Sequence, residues 1–285
     1  MKSKRLIVVS LDALSSIDFD MFSKLPNFKK FIRHAACCRQ VRSVYPSLTY
    51  PAHTSIVTGR TPAHHGIVNN ILLQPERSSP DWYWQRNYIR GTTLYDEVLK
   101  QGKHVAALLW PVTAKSEITW NLPEIFANRR WTNQILTSAA NGTVGYQLML
   151  NHRFGRLRDG IRQPALDNFV HASLKYTLKT YRPDLTLVHF TDLDTQRHHY
   201  GVHSEEAAAA IKRHDERIGE LMHLLHQNRM SVKRDTTVII LGDHSQLDVR
   251  NVILINKLLR EQGYLKVQNG RVTEWKAYCQ NCDGS

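Results

Sequence analysis

Cysteine is scarce in this 285-residue chain, at four residues: Cys37, Cys38, Cys279 and Cys282. Cys37 and Cys38 are adjacent, and neighbours rarely bridge each other. Cys279 and Cys282 form a single CxxC, a weak zinc or redox signal without a second pair. The expectation is free thiols in a reducing compartment. Long apolar runs are also missing. No stretch is long enough to span a bilayer. The N-terminal run Leu6 to Leu11 meets Asp12 at once, with no small-residue cleavage site in register. These absences give the expectation of a cytoplasmic protein with no membrane association. Acidic residues are the short side of the charge balance, 25 against 38 basic, for a formal net charge of +13. Such an excess suits counterion release on nucleic acid, or a solvated basic surface that attracts anions. The basic residues are dispersed, and no RNP-like aromatic pattern or helix-turn-helix signature accompanies them. Specific nucleic-acid binding is therefore not expected, and a small phosphate-bearing substrate suffices to account for the bias.

What is present is an ordinary globular composition, 42% hydrophobic and 22% charged. The length suits one large domain, or one domain with an insertion. There is no internal repeat and no low-complexity segment. Lys4-Arg-Leu-Ile-Val-Val-Ser-Leu-Asp12, Val105 to Trp110, Asp184 to Phe190 and Thr236 to Leu241 are short continuous apolar runs, the pattern of strands buried on both faces. Helical spacing covers Leu25–Arg33, Thr93–Lys100, Leu166–Tyr181 and Ser204–Gln227, the last with Ser204 as N-cap. The stretch 113–160 lacks clean alternation and is expected to be a mostly helical insertion, about 75–165 in all. Val41 to Val44 is expected as a short strand, and a helix is expected to open between Thr54 and Thr58. The order argues for an α/β fold: three layers, a mostly parallel central sheet and helices on both faces.

Three of these runs end in acids or histidines: Asp12, then Asp194 with His198, then Asp243 with His244. Each alone has a bland explanation, since an Asp after a strand is commonly a helix cap and a lone His commonly a satisfied surface residue. Three strands delivering Asp or His to one sheet edge weaken that explanation. Asp and His are ligands that Zn²⁺ accepts. Two metals roughly 4 Å apart clamp the attacking and leaving oxygens of a phosphoryl displacement. "YPSLTYPAHTSIVTG" at 45–59 holds Thr49 between Pro46 and Pro51, the kind of setting that fixes a hydroxyl beside a metal able to activate it. Trp82, Tyr83, Trp84 and Tyr88 follow. Core packing is their ordinary role, and a stacking platform for a nucleobase is the functional alternative.

The pieces "VVSLDAL" at 8–14, "YPSLTYPAHTSIVTGRTPAHHGIVNN" at 45–70, "LLWPVTAKSEITWNLPEI" at 108–125, "HFTDLDTQRHHYG" at 189–201 and "LGDHSQLDV" at 241–249 are spread over most of the chain. On them the sequence resembles the alkaline phosphatase superfamily, and within it the nucleotide pyrophosphatase/phosphodiesterase branch. The resemblance implies a metal-dependent hydrolase of phosphodiester or pyrophosphate bonds in nucleotide-type substrates. It implies that Asp12, Asp243 and His244 hold the metal that also carries the nucleophile Thr49, and that Asp194 and His198 hold a second. Both ions are expected to be divalent, zinc foremost. Asn70 matches the amide that hydrogen-bonds the phosphoryl oxygen. Alternatives within the superfamily are phosphomonoester, phosphonate or sulfate ester hydrolysis, and a catalytically impaired fragment is a further one. The family completes its second metal site with a further histidine downstream, whereas this sequence has none after His244. The expectation is a single catalytic domain over 1–285 that is incomplete at its C-terminus, with no strand or helix closing the fold. The alternative is a substitute ligand among Asp192, His189, His199 and His203.

Overall fold

The computed structural model describes residues 4–280 apart from Arg130 and Lys233. Cys282 of the CxxC lies outside the described residues. Five strands, β1 (Arg5–Leu11), β2 (Val105–Leu108), β3 (Trp120–Leu122), β4 (Leu185–Phe190) and β5 (Thr236–Leu241), form one sheet in the order β3-β2-β4-β1-β5. Every pairing in it is parallel, with Val8 opposite both Leu187 and Ile239. Parallel neighbours need crossovers, which the helices supply. In chain order these are α1 (Phe19–Phe22), α2 (Pro26–Ile32), α3 (Thr49–Thr58), α4 (Pro62–His65), α5 (Leu94–Lys100), α6 (Gln134–Ala139), α7 (Val144–Phe154), α8 (Ala165–Thr180), α9 (Asp192–Tyr200), α10 (Glu205–Gln227) and α11 (Ile255–Glu261).

Side-chain alternation along β1 makes the three layers. Ile7, Val9 and Leu11 face a core shared with Phe28 of α2, Leu174 of α8 and Ile218 of α10. Val8 points the other way, into a core with Val57 of α3 and Tyr95 of α5. Local chemistry starts the helices where the sequence signals them. Ser204 Oγ accepts the Ala207 N–H at 3.1 Å, and Thr93 and Asp96 form a capping box.

Four expectations are corrected. Residues 41–44 form no strand; Val41 and Arg42 are exposed, and Ser43 is held by its side chain to the Asp243 carbonyl rather than by a backbone ladder. The helix expected near Thr54 begins at Thr49 itself, because Pro51 falls in its first turn, where the missing N–H is not needed. The stretch 75–165 is not wholly peripheral, since it contains β2 and β3 of the central sheet. The segment after β5 does contain regular structure: α11, then an antiparallel hairpin of β6 (Leu265–Gln268) and β7 (Arg271–Trp275).

Candidate active site

The C-terminal ends of β1, β4 and β5 lie side by side in the sheet, so the residues that follow them gather at one edge. Asp12 directly follows β1, α9 directly follows Thr191 at the end of β4, and Asp243 and His244 follow β5 after Gly242. Glycine is required there: a Cβ on Gly242 would lie 1.7 Å from the Leu14 carbonyl oxygen. That close approach lets Ala13 N–H donate to Asp243 Oδ1 at 3.1 Å and Ser43 Oγ donate to the Asp243 carbonyl at 2.6 Å.

Thr49 opens α3 and brings its hydroxyl to this edge. Its Oγ1 lies 3.2 Å from His244 Nε2. The same nitrogen is 3.3 Å from Asp12 Oδ1 and 3.4 Å from Asp243 Oδ2. His244 Nδ1 lies 3.2 Å from the Ser245 carbonyl, which leaves Nε2 facing inward toward the two carboxylates. Asp12 Oδ1 and Asp243 Oδ2 are both buried, and neither has a hydrogen-bond partner. Orphaned carboxylate oxygens are costly in a protein interior. Burial, with the charge of Asp12 beside it, pushes the Asp243 carboxyl above its usual range. Two unsatisfied anionic oxygens, a ring nitrogen and a hydroxyl oxygen thus converge, the donor set of a hard or borderline cation.

Asp194 adjoins this group. Ligand atoms of Asp12, Asp194 and His244 all lie within 4.8 Å of one another. Asp194 Oδ1 accepts the Gln246 side-chain amide at 2.7 Å and is 3.4 Å from His198 Nε2, one helical turn on along α9. Asn70 Oδ1 accepts the Tyr50 N–H at 2.9 Å, so the side-chain amide's NH₂ is its available donor. All seven residues singled out from the sequence come together here. Six of them, Asp12, Thr49, Asn70, Asp194, His198 and His244, line one cavity of about 530 Å³, and buried Asp243 stands behind His244. The cavity also has apolar walls, from Trp82, Ile125, Phe126 and Phe169 among others. Of the four aromatics noted in sequence, Trp82 reaches this cavity. Trp84 is buried against Phe126, and Tyr83 packs on Tyr88.

The substitutes considered for a missing ligand point elsewhere. Asp192 is fully buried and held by Arg213, Arg217 and Gln196. His189 sits between Asp12 and Glu124. His199 and His203 are exposed, and neither joins the donor cluster. Sequence reasoning missed His53, Glu124 and Gln246 as parts of the site. His53 donates from Nδ1 to the Thr49 carbonyl at 2.8 Å and accepts from Ser10 Oγ at 2.9 Å. Burial, reinforced by His189 nearby, pushes it down to about 3, so it stays neutral. Glu124 and Gln246 stood inside the motif stretches "NLPEI" and "LGDHSQL", but their partners are remote in the chain.

The family model for type I phosphodiesterase / nucleotide pyrophosphatase matches residues 6–284. The chain belongs to this family. Among curated relatives, human ectonucleotide pyrophosphatase/phosphodiesterase family member 1 is 26% identical over 259 residues, covering 86% of this chain and 24% of the relative. Venom phosphodiesterase 2 of Crotalus adamanteus is 26% identical over 256 residues, covering 86% and 27%. The chain thus spans about a quarter of the length of these curated relatives. Among solved structures, murine ectonucleotide pyrophosphatase/phosphodiesterase 5, in an inactive threonine-to-alanine form in complex with AMP, superimposes with a TM-score of 0.63. The identity is 19%, with 93% of this chain and 63% of that one covered. The likeness establishes the alkaline-phosphatase-like α/β fold expected from the sequence.

Proposed function

We propose that the chain is a metal-dependent hydrolase that cleaves phosphodiester or pyrophosphate bonds in nucleotide-type substrates, with Thr49 as nucleophile. The observation that carries this is the convergence of Thr49 Oγ1 with His244 Nε2 and two unpartnered carboxylate oxygens, Asp12 Oδ1 and Asp243 Oδ2. Family membership supports the bond class. The AMP-bound, threonine-to-alanine form of the murine neighbour supports both a threonine nucleophile and a nucleotide ligand.

Asp12, Asp243 and His244 would hold one divalent cation, zinc foremost, and Asp194 with His198 would hold a second. Bound there, the cations would lower the pKa of the Thr49 hydroxyl and offset negative charge on the transferring group. The chain's own residues do the rest. Oγ1 of Thr49 gives its proton to solvent and forms a bond to phosphorus as the bond to the leaving oxygen breaks on the opposite side; the leaving oxygen takes a proton from solvent, and water then hydrolyses the threonyl-phosphoryl intermediate and restores the Thr49 hydroxyl. His53 fixes the nucleophile's backbone through the Thr49 carbonyl. The NH₂ of Asn70 donates to a phosphoryl oxygen, and the N-terminus of the ten-residue helix α3 presents its positive end to the same charge. An asparagine, rather than a cationic clamp, suits a diester, which carries one negative charge fewer than a monoester. The apolar wall with Trp82 and Phe126 suits a flat base.

The test is the zinc-supplemented rate on a chromogenic phosphodiester and on its monoester analogue, with Thr49→Ala as the blank. Turnover favouring the diester and vanishing in Thr49→Ala is expected. Diester turnover that survives Thr49→Ala, or no turnover from folded zinc-loaded protein, would overturn the proposal.

A further inference from the structure

His189, near the end of β4, is fully buried. Its ring has a carboxylate on each side. Nε2 lies 3.1 Å from Asp12 Oδ2. Nδ1 lies 3.1 Å from Glu124 Oε2 and 3.2 Å from the Leu109 carbonyl. Both ring nitrogens therefore face carboxylate oxygens, one from Asp12 and one from Glu124. The ring thus bridges the two carboxylates, and hydrogen bonds to carboxylates are the strong ones.

The clasp has a consequence at Asp12. It occupies Oδ2 and leaves Oδ1 as the single oxygen without a partner, turned toward His244 Nε2. Glu124 extends the chain of contacts in the other direction. Its Oε1 accepts from the Tyr50 hydroxyl at 3.3 Å, and the Tyr50 N–H is bound to Asn70. One connected path therefore runs from Asn70 through Tyr50, Glu124 and His189 to Asp12. Glu124 itself stands in the cavity wall with its side chain 18% exposed. Its two carboxylate oxygens are taken up by Tyr50 and His189.

We propose that His189 and Glu124 are positioning residues: together they fix the Asp12 carboxylate so that one oxygen alone is presented to the cation, and so set the affinity of the site. This rests on the cation reading given above. Outer groups that orient a ligand typically change metal affinity about 10–100-fold when removed.

The test is zinc affinity of the full chain, measured by competition with a chromophoric chelator, so that no turnover is needed. His189→Asn, which can donate toward only one carboxylate, is expected to weaken zinc binding about 10–100-fold. Glu124→Gln keeps the shape and an acceptor for Nδ1 but replaces the carboxylate with a weaker neutral acceptor. It is expected to weaken binding about 3–10-fold, and it remains informative if His189→Asn fails to fold. Thermal midpoints taken in excess chelator check that each fold is intact. Unchanged zinc affinity in a folded variant would overturn the proposal and reduce His189 to core packing. Absence of zinc binding by the unaltered chain would overturn the cation reading itself, and this inference with it.

Discussion

Gln246 Nε2 donates to Asp194 Oδ1 at 2.7 Å, tying the loop after β5 to helix α9. Gln246 is itself buried and lines the cavity beside Asp194. It holds Asp194 toward Asp12 and His244. Gln246→Ala is expected to leave the carboxylate free to turn away and to lower kcat/KM on a phosphodiester about 10-fold or more, the value of one charge-assisted hydrogen bond. The thermal midpoint in chelator should move by only a few degrees. Steady-state kinetics with that control checks it, and an unchanged kcat/KM would remove Gln246 from the site.

Gly242 is the point where the end of β5 passes the Leu14 backbone, with no room for a Cβ. Gly242→Ala must displace the chain, and with it the bonds that Ala13 and Ser43 make to Asp243. A loss of about 1–3 kcal/mol is expected, as for overpacking elsewhere. Zinc affinity should fall together with stability, because Asp243 moves. Urea midpoints at constant slope, paired with chelator competition, measure the two effects.

How far the sequence could be read follows from where the determining forces lie. The strands were legible because β1, β2 and β4 are buried on both faces, so their apolar runs are continuous. Each side chain that follows a strand inherits its position from the parallel sheet. Asp12, Asp194 and His244 were therefore legible as neighbours despite their separation in the chain. The start of α3 was hidden by Pro46 and Pro51, which suggest a loop until Pro51 is seen to occupy a position whose N–H is unneeded. The Glu124–His189–Asp12 clasp was not legible. His189 sits in an apolar strand, its partners are 65 and 177 residues away, and nothing local announces their meeting.

A different surface predicts solution behaviour. Val249, Val252, Ile253, Leu254, Ile255 and Leu258 are all exposed around the start of α11. β5 is an edge strand with Ile239 at its surface. Exposed apolar surface favours association, as does a strand edge with no ladder partner among the described residues. The double change Ile253→Asp and Leu254→Lys is expected to reduce binding of a hydrophobic dye severalfold and to shift light scattering toward smaller species. The unfolding free energy should change by less than about 0.5 kcal/mol, as for other surface substitutions. Dye fluorescence and light scattering on matched concentrations decide it; identical scattering would show that these side chains do not drive association.

Acid should destabilise the fold in part through two buried histidines that make no hydrogen bond to the proposed cation ligands. His214 on α10 is fully buried and takes Arg217 Nη1 at 3.3 Å on its Nδ1, while Nε2 has no partner. Burial, and then the charge of Arg217, push it down to about 3. His171 on α8 is pushed down to about 4, by burial and then by Lys175, against the pull of Glu220. Both are neutral when folded but take up a proton near pH 6.5 when unfolded. The unfolded state therefore binds more protons below that pH. Full stability is present above about pH 6.5 and is lost as the pH falls toward the folded values, at up to about 1.4 kcal/mol per pH unit for each histidine. His171 stops contributing near pH 4, and His214 near pH 3. Urea midpoints between pH 7 and pH 4, taken in chelator so that metal release plays no part, should show the decline. In His214→Gln the slope should shrink by as much as about 1.4 kcal/mol per pH unit. An unchanged slope in that variant would mean that His214 is already charged in the folded chain, with Asp192 outweighing Arg217 beside it.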